Sequence, residues 1–257
     1  MRPTLVEVLQ LEEIEPDLYR GNYVYDETWR LYGGQVAAQA LRAAGHTVDE
    51  HRLPHSMHAY FLRSGRADLP TVFEVHRDRD GRTYSARRVV ARQQGKEIFS
   101  AIMSFAATDE GLDSQVHRAP VVARPTEPDT TTFHRLFSHE WATVEQPVSG
   151  LDLPERYWAR CSDDLGDDLL MHACAIAYVS DASTGLTRLA DARHAPGASI
   201  DHAVWFHVPA RADEWLLHVM EPGRTAGGRG LYTGSIFTGD GALAVSLAQQ
   251  QLFRPVS

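Results

Sequence analysis

The feature of this sequence that most restricts its fold is an order of elements that occurs twice. An Ala- and Gly-rich segment begins at Gly33 (GGQVAAQALRAAGHTV) and has Val36, Ala40 and Leu41 at helical spacing. The apolar segment Leu169–Val179 has the same spacing in the second half. Each segment is followed by strand-like runs. Two copies of one helix followed by several antiparallel strands predict two tandem α+β units.

Apolar runs bounded by turn residues predict the strands of each unit. In the first half they are His55–Leu62, Thr71–His76, Thr83–Gln93 and Glu97–Phe105. In the second half they are Arg156–Cys161, Ala203–Val208, Trp215–Met220, Gly230–Phe237 and Ala242–Phe253. The intervening stretch is rich in Asp, Glu, Pro and Thr. We therefore expect units at residues 1–107 and 131–257, joined by a linker at residues 108–130.

The two halves also share residues. The run HAYFLRSGRADLPTVFEV from His58 aligns without a gap with HAVWFHVPARADEWLLHV from His202. The repeat is weak, and its main value is the shared order of elements. A single unit would leave a sheet edge uncovered, and pairing two units edge to edge would cover the backbone groups of that edge. We therefore expect the halves to associate within one chain.

Composition limits the partners of the chain. It has 257 residues, 43% of them hydrophobic, and a net charge of −9, which argues against a nucleic-acid partner. The two cysteines, Cys161 and Cys174, predict neither a disulfide framework nor a metal cluster, and Cys174 is typical of a core thiol. The acidic N-terminal segment and the lack of long apolar runs favour a cytoplasmic protein without membrane insertion.

Several motifs, in this order, resemble those of the acyl-CoA thioesterase II family. In the first half they are LYRGNY, YGGQVAAQAL, HSMHAYFLRSG and DGRTYSARRVVARQQGKEIF. In the second half they are AYVSD, SIDHAVWFH, EWLLHV and VSLAQQQLFR. The resemblance implies an α+β double hotdog fold, in which each of two tandem units wraps an antiparallel sheet around a central helix. It also implies hydrolysis of fatty acyl-CoA to free acid and coenzyme A, without a cofactor.

The same resemblance implies three residues that hold the hydrolytic water. The family's Asp ends the apolar helix in a Ser-Asp pair, which makes it Asp181 here. The family's Thr or Ser precedes Ile-Asp-His, which makes it Ser199. The family's Gln lies five residues before an Arg in the last strand, which makes it Gln249. Gln250 and Gln251 follow directly, and an error of one residue in the register would select the opposite face.

These residue types suit thioester hydrolysis. A carboxylate at a helix C-terminus, such as Asp181, lies at the negative end of the helix dipole, which raises its basicity. The side chains of Ser199 and Gln249 both donate and accept hydrogen bonds and can orient a water without becoming charged. There is no Gly-x-Ser-x-Gly elbow, so we expect direct attack by water rather than a covalent intermediate. Taken singly, each of the three residues also has an ordinary structural interpretation.

Further site residues are predicted around these three. The backbone N–H groups of Gly33, Gly34 and Gln35, at the start of the first helix, are candidate oxyanion donors. In the repeat, the first half has Met103 near the position of Gln249 and His55 near that of Ser199, which predicts one active site per chain.

Two groups of arginines are candidates for surface contacts. Arg224 and Arg229, beside the run Gly227–Gly230, are candidates for contacting coenzyme A phosphates, although a plain hairpin turn is the simpler interpretation. Arg87, Arg88 and Arg92 form a basic strand, interpreted as a solvated face or a dimer contact.

The sequence also bears on three alternatives to thioester hydrolysis, which are metal binding, hydration of an enoyl-CoA and acyl-CoA binding without catalysis. The pairs His55/His58 and His202/His207 have odd spacing, which sends their members to opposite faces of a strand and disfavours a metal site. A hotdog enoyl-CoA hydratase needs an Asp–His pair, and adjacent Asp201 and His202 would face opposite ways. A non-catalytic acyl-CoA-binding protein would keep the fold and dispense with Asp181. The edge strand on each outer unit favours a homo-oligomer.

Overall fold

The structure is a computed structural model that describes residues 3–22, 30–107, 111–128, 139–144, 155–182 and 193–255. Its elements in the first half are α1 (Leu5–Leu9), β1 (Leu11–Glu15), β2 (Leu18–Gly21), α2 (Gly33–Gly45), β3 (Arg52–Phe61), β4 (Thr71–Asp80), β5 (Tyr84–Gln93) and β6 (Lys96–Ala107). In the second half they are β7 (His139–Thr143), β8 (Arg156–Cys161), α3 (Leu169–Ser180), β9 (His194–Ser199), β10 (Asp201–Phe206), β11 (Leu216–Ala226), β12 (Arg229–Phe237) and β13 (Leu243–Pro255).

Within these ranges the strands form one antiparallel sheet. The strand order is β1-β2-β4-β5-β6-β3-β10-β13-β12-β11-β8-β7, and β9 pairs with β13 beside this path. The halves meet at β3 and β10, where Ala59 lies opposite His202 and Met57 opposite Val204. The pair extends past the strand ends because the Phe61 N–H donates to the Ile200 carbonyl at 2.9 Å. The expected edge-to-edge association is therefore present at this seam.

Helices α2 and α3 lie against the inner face of the sheet and against each other. Gly34, near the start of α2, lies beside Tyr178 near the end of α3, and Gly45, at the end of α2, lies beside Leu170. The helices are therefore antiparallel, and the start of α2 faces the end of α3. A Cβ at Gly34 would overlap the backbone carbonyl of Tyr178, so this approach requires glycine. The predicted α+β double hotdog architecture, with a central helix in each unit, is confirmed.

The core explains why both helices are rich in small and apolar residues. Along α2 the residues Ala37, Ala40, Leu41 and Ala44 are fully buried, and Cys174, Ala175 and Ala177 are fully buried along α3. Helix α3 is apolar on nearly all sides because the sheet covers one side and α2 another. The Arg42 guanidinium of α2 also pairs with Asp168, the N-cap of α3, at 2.5 Å.

The predicted elements are found with small shifts of their ends, and five elements were missed: α1, β1, β2, β7 and β9. The interpretation of Arg87 was wrong, because its side chain is 1% exposed. Its guanidinium donates to Thr47 after α2 and pairs with Asp80, so it fastens the end of the helix to the β4–β5 hairpin. Arg88 and Arg92 are partly exposed and form ion pairs on the outer face.

The gap-free alignment of His58 with His202 does not match the faces of the sheet. His202 is fully buried, whereas His58 lies on the outer face and its ring contacts Trp205 edge to face at 5.1 Å. Because side chains alternate along a strand, the two histidines differ by one position of register. Ala59, which lies opposite His202, is the inward residue of the first half.

Residues of the predicted linker pack on the outer face of the second unit. The Gln115 side chain accepts from the Leu243 N–H and donates to the Gly241 carbonyl, and the His117 ring contacts Phe237 edge to face at 5.4 Å. Ala119 and Val122 pack on the outer apolar cluster that contains Phe237. The boundaries proposed for the two units and the linker stay predictions. Among the described residues, no helix is long and apolar enough to cross a membrane.

Candidate active site

The site is built around Asp181, the residue that ends α3. Asp181 is the C-cap of this helix, and its side chain is 5% exposed. The carboxylate accepts a hydrogen bond from the backbone N–H of Gly34 in the first turn of α2. Two helix ends therefore meet at one carboxylate. The negative end of α3 disfavours its charge, and the positive end of α2 favours it.

The structure brings Ser199 and Gln249 to this carboxylate. The Gln249 Nε2 donates to Asp181 Oδ1 at 2.5 Å and to Ser199 Oγ at 2.6 Å. The Ser199 hydroxyl donates to the same Asp181 oxygen at 3.3 Å. Ser199 ends β9, which pairs with β13 and so holds the hydroxyl beside that strand.

The register of β13 separates the three consecutive glutamines. Gln249 is fully buried and faces the helices, and Gln251 lies on the same face, with its Nε2 3.3 Å from Ser199 Oγ. Gln250 lies on the other face, where its backbone N–H donates to Asp201 Oδ1. The Gln249 side chain contacts Asp181, as its predicted role requires.

The pKa of Asp181 is raised from 3.8 to about 6. Burial is the largest cause, since it penalises the charged carboxylate. The hydrogen bonds from Gln249, from Ser199 and from the Gly34 backbone act in the opposite direction. A carboxylate with a pKa near 6 is mostly ionised at neutral pH and is still a stronger base than an exposed aspartate. This arrangement can accept a proton from a water molecule.

The first turn of α2 lies directly beside the carboxylate. A Cβ built at Gly33 would lie 2.5 Å from Asp181 Oδ2 and 2.8 Å from Phe61 Cε1, so glycine allows the backbone of α2 to approach these side chains closely. Gln35, the third of the predicted oxyanion residues, is 3% exposed. Among these three residues, Gly34 binds Asp181 through its backbone, a contact that the sequence did not indicate.

Two buried residues behind the site were also missed. The Ser180 hydroxyl lies 2.8 Å from His202 Nε2 and donates to the Ala177 carbonyl at 3.0 Å. The pKa of His202 is lowered to about 4, chiefly by burial, with a smaller opposing effect of Gln249. The imidazole is therefore neutral at neutral pH. Ser180 belongs to the same Ser-Asp pair that identifies Asp181, so the sequence did contain a signal for it. The inward placement of His202 depends on the register of β10, which the sequence does not give.

Tyrosine hydroxyls enclose the site. Tyr232 is fully buried on β12, directly opposite Gln249, and its hydroxyl donates to Gln249 Oε1 at 2.7 Å. Tyr32 precedes α2 and donates to the Tyr178 carbonyl at 2.8 Å. Its pKa is raised well above 10, first by burial and then by the nearby charge of Asp181. The sequence could not identify Tyr232, because its role depends on which β13 residue it faces.

The remaining sequence candidates lie outside this cluster. Arg224 and Arg229 are exposed on the β11–β12 hairpin, whose two-residue turn has positive φ at Gly227 (56°) and Gly228 (70°), as a tight hairpin turn requires. Burial raises the pKa of Cys161 and of Cys174 to about 12, so neither thiol is an activated nucleophile. Among the described residues, no group of His, Cys, Asp or Glu could hold a metal ion.

The corresponding positions of the first half are not a second site. Met103 is fully buried in the apolar core, and His55 contacts Ser104 at 2.8 Å rather than a carboxylate. The C-cap of α2 is His46, where α3 has Asp181. The polar cluster therefore lies in the second half, and the Gly34 backbone of α2 contacts it.

Comparisons with known proteins give a consistent assignment. Residues 25–106 match the family described as acyl-CoA thioesterase N-terminal domain, and residues 126–252 match the family described as acyl-CoA thioesterase. Human acyl-coenzyme A thioesterase 8 is 33% identical over 96% of this chain and 88% of its own length. Acyl-CoA thioesterase 2 of Haemophilus influenzae is 34% identical over 97% of this chain and 96% of its own length.

Solved structures of similar proteins support the same family assignment. The acyl-CoA thioesterase II TesB2 of Mycobacterium marinum is 36% identical, with a TM-score of 0.82 over 98% of both chains. A hot dog fold protein of unknown function from Alicyclobacillus acidocaldarius has a TM-score of 0.79 over 98% of both chains at 17% identity, a likeness of fold alone.

Proposed function

Since the chain belongs to the acyl-CoA thioesterase family, we propose that it hydrolyses fatty acyl-CoA with a water molecule held by Asp181, Ser199 and Gln249. The observation that supports this proposal best is the convergence of the three side chains. The Gln249 amide lies within 2.6 Å of both Ser199 Oγ and Asp181 Oδ1, although the residues come from a helix end and two strands.

In the proposed reaction, Asp181 accepts a proton while the water oxygen attacks the thioester carbonyl carbon. The C–O bond forms as the carbonyl electrons move to the oxygen, and the C–S bond then breaks to release the coenzyme A thiolate. The proton held by Asp181 passes to this sulfur, which leaves a fatty acid and a free thiol. Ser199 and Gln249 orient the water with their hydrogen-bonding groups, and no covalent acyl-enzyme forms.

The first turn of α2 is the proposed stabiliser of the oxyanion. Gly33, Gly34 and Gln35 lie at the positive end of this helix, and glycine at position 33 lets the helix start lie directly beside the Asp181 carboxylate. The Gly34 N–H binds Asp181, so its part in this turn is to align the carboxylate with the helix end rather than to bind the oxyanion. Each half of the chain then supplies a different part of one site, which is a reason for both halves to be required.

For the coenzyme A portion, we propose contacts from Arg224 and Arg229. Both guanidinium groups are exposed, and Arg229 lies three residues before Tyr232, roughly 10 Å along β12 from the buried cluster. Phosphate groups are favoured partners for exposed arginines. If these contacts are made equally in the ground state and the transition state, Arg229→Ala raises KM several-fold and leaves kcat unchanged.

The geometry does not favour the alternatives. Asp201 accepts from the Gln250 backbone, whereas His202 is buried on the opposite face and contacts Ser180. They therefore do not form the joint Asp–His pair that a hydratase requires. A non-catalytic binding protein has no need for a buried carboxylate with a pKa raised to about 6.

The decisive experiment measures thiol release from acyl-CoA of several chain lengths. Gln249→Ala is expected to lower kcat by about 10² or more, because the water loses a fixed hydrogen-bonding group. Gln250→Ala is the matched control, since it removes the same side chain one residue further on and on the other face of β13. Near wild-type rates for the control and a loss for Gln249→Ala support the proposal. No thiol release by the unmodified protein, or equal losses in both variants, would contradict it.

We also propose that the chain forms a homo-oligomer through the outer face of the seam. Tyr60 is 59% exposed there and Ile102 is 55% exposed, and neighbouring Trp205 is 37% exposed. Clustered exposed apolar side chains mark association surfaces. Light scattering is expected to give a mass of at least two chains, and Ile102→Glu is expected to reduce it. A single-chain mass for the unmodified protein would contradict this proposal.

A further inference from the structure

The Gln249 side chain has a further hydrogen-bond partner, Tyr232, which is not one of the predicted site residues. Tyr232 and Gln249 are direct cross-strand neighbours on β12 and β13, and both side chains are fully buried. The tyrosine hydroxyl donates to Gln249 Oε1 at 2.7 Å, while Gln249 Nε2 faces Asp181 and Ser199. The amide is therefore held at both ends.

The oxygen and nitrogen ends of an amide have nearly the same shape, but the oxygen accepts hydrogen bonds and the nitrogen donates them. A carboxylate accepts and a phenol hydroxyl donates, so one orientation satisfies both neighbours, with Oε1 towards Tyr232 and Nε2 towards Asp181. We propose that Tyr232 is a positioning residue, which fixes and polarises the Gln249 amide so that it presents its N–H groups to Asp181 and Ser199. This inference rests on the proposed function of the three site residues.

The contact also affects the base. A hydrogen bond accepted at Oε1 makes the Nε2–H groups stronger donors, because linked hydrogen bonds polarise one another. Donation from Gln249 lowers the pKa of Asp181. Loss of the tyrosine hydroxyl therefore weakens this donation and raises the pKa of Asp181 further above 6. Since the base must be ionised to act, the acid limb of the rate profile moves to higher pH.

Among the described residues, two other titratable groups beside the site have pKa values displaced from this range. His202, on β10 behind Gln249, has its pKa lowered to about 4, and Tyr32, before α2, has its pKa raised well above 10. Tyr178 on α3, Tyr157 on β8 and Tyr232 itself also lie near Tyr32, and phenols are ordinarily neutral near pH 6. The acid limb therefore reports on Asp181.

The test compares Tyr232→Phe with the unmodified enzyme in thiol release from acyl-CoA. The variant is expected to lower kcat about 10-fold with KM within about twofold, the pattern for loss of a group that acts mainly in the transition state. The acid limb of kcat/KM is expected to move upwards from about pH 6. Tyr19→Phe, at a buried tyrosine of the first half, is the matched control and is expected to change neither quantity.

A double-mutant cycle separates this role from general damage to the fold. If Tyr232 acts through Gln249, Tyr232→Phe has little further effect on kcat in the Gln249→Ala background. Equal fold-losses in both backgrounds, or an unchanged acid limb in Tyr232→Phe, would overturn the inference. If Tyr232→Phe does not fold, a ring-fluorinated tyrosine at this position keeps the hydroxyl, is a stronger donor, and must move the acid limb to lower pH.

The same assay keeps the two proposals apart. Asp181→Asn is expected to abolish most of the activity if the proposed function holds. An active Asp181→Asn enzyme contradicts the proposed function itself. An inactive Asp181→Asn enzyme together with a fully active Tyr232→Phe enzyme contradicts only the role of Tyr232.

Discussion

The two helices of this protein end differently, and the proposed chemistry lies where they differ. Helix α3 ends at Ser180 and is capped by Asp181, which contacts Gln249 of β13. Helix α2 ends at Gly45 and is followed by His46. The first half instead uses the start of its helix, where Gly33 and Gly34 approach Asp181. In the proposed site, one unit therefore supplies side chains and the other supplies a closely packed helix start. Duplicated architecture does not imply duplicated sites.

The largest loss of stability and activity is expected at the contact between helices α2 and α3. A Cβ at Gly34 would overlap the Tyr178 carbonyl, which is backbone and cannot turn aside. Gly34→Ala is expected to cost about 1–3 kcal/mol or more of unfolding free energy and to lose activity, because α2 and α3 must separate. Urea denaturation measures the loss. Gly111→Ala, where no atom lies within 4 Å, is the control, and an equally stable Gly34→Ala would show that the close approach is not needed.

A second prediction concerns Met103, the first-half residue near the position of Gln249, when it is replaced by glutamine. Met103→Gln puts an amide into a fully buried apolar position without the carboxylate that Gln249 meets. We expect a loss of roughly 1–3 kcal/mol in unfolding free energy and no gain in thiol release. Met103→Leu, which nearly conserves volume, is expected to cost less than about 1.5 kcal/mol. A rise in turnover for Met103→Gln would mean that the first half has a latent site.

The third prediction concerns stability and pH. The folded pKa of Asp181 is raised from 3.8 to about 6, so the folded state binds this proton more tightly and loses stability as pH rises through that interval. Asp181→Asn has no such charge to bury. Its gain in unfolding free energy over the unmodified protein is expected to grow from near zero at about pH 4 to on the order of 2–3 kcal/mol at pH 8. Urea titrations at the two pH values measure it, and a gain that does not change with pH would be inconsistent with a buried charge.

Local pattern predicted α2, α3 and most strands, because apolar periodicity and turn residues can be recognised within one element. It did not predict the short helix α1. The buried Arg87 was misjudged as surface because its partners, Thr47 and Asp80, lie on other elements. The contact of Gly34 with Asp181 and that of Tyr232 with Gln249 both depend on pairing across the fold. The offset between His58 and His202 arose because a gap-free alignment ignores a shift of one residue between strands.

The central claim is that hydrolysis depends on the carboxylate at the end of α3. The most direct measurement is the rate of thiol release by Asp181→Asn at neutral pH, beside Asp68→Asn, which makes the same change in a partly exposed ion pair of the first half. Asp181→Asn is expected to lower kcat by about 10²–10⁴, and Asp68→Asn is expected to stay near the unmodified rate. Unimpaired turnover by a folded Asp181→Asn protein would contradict the account.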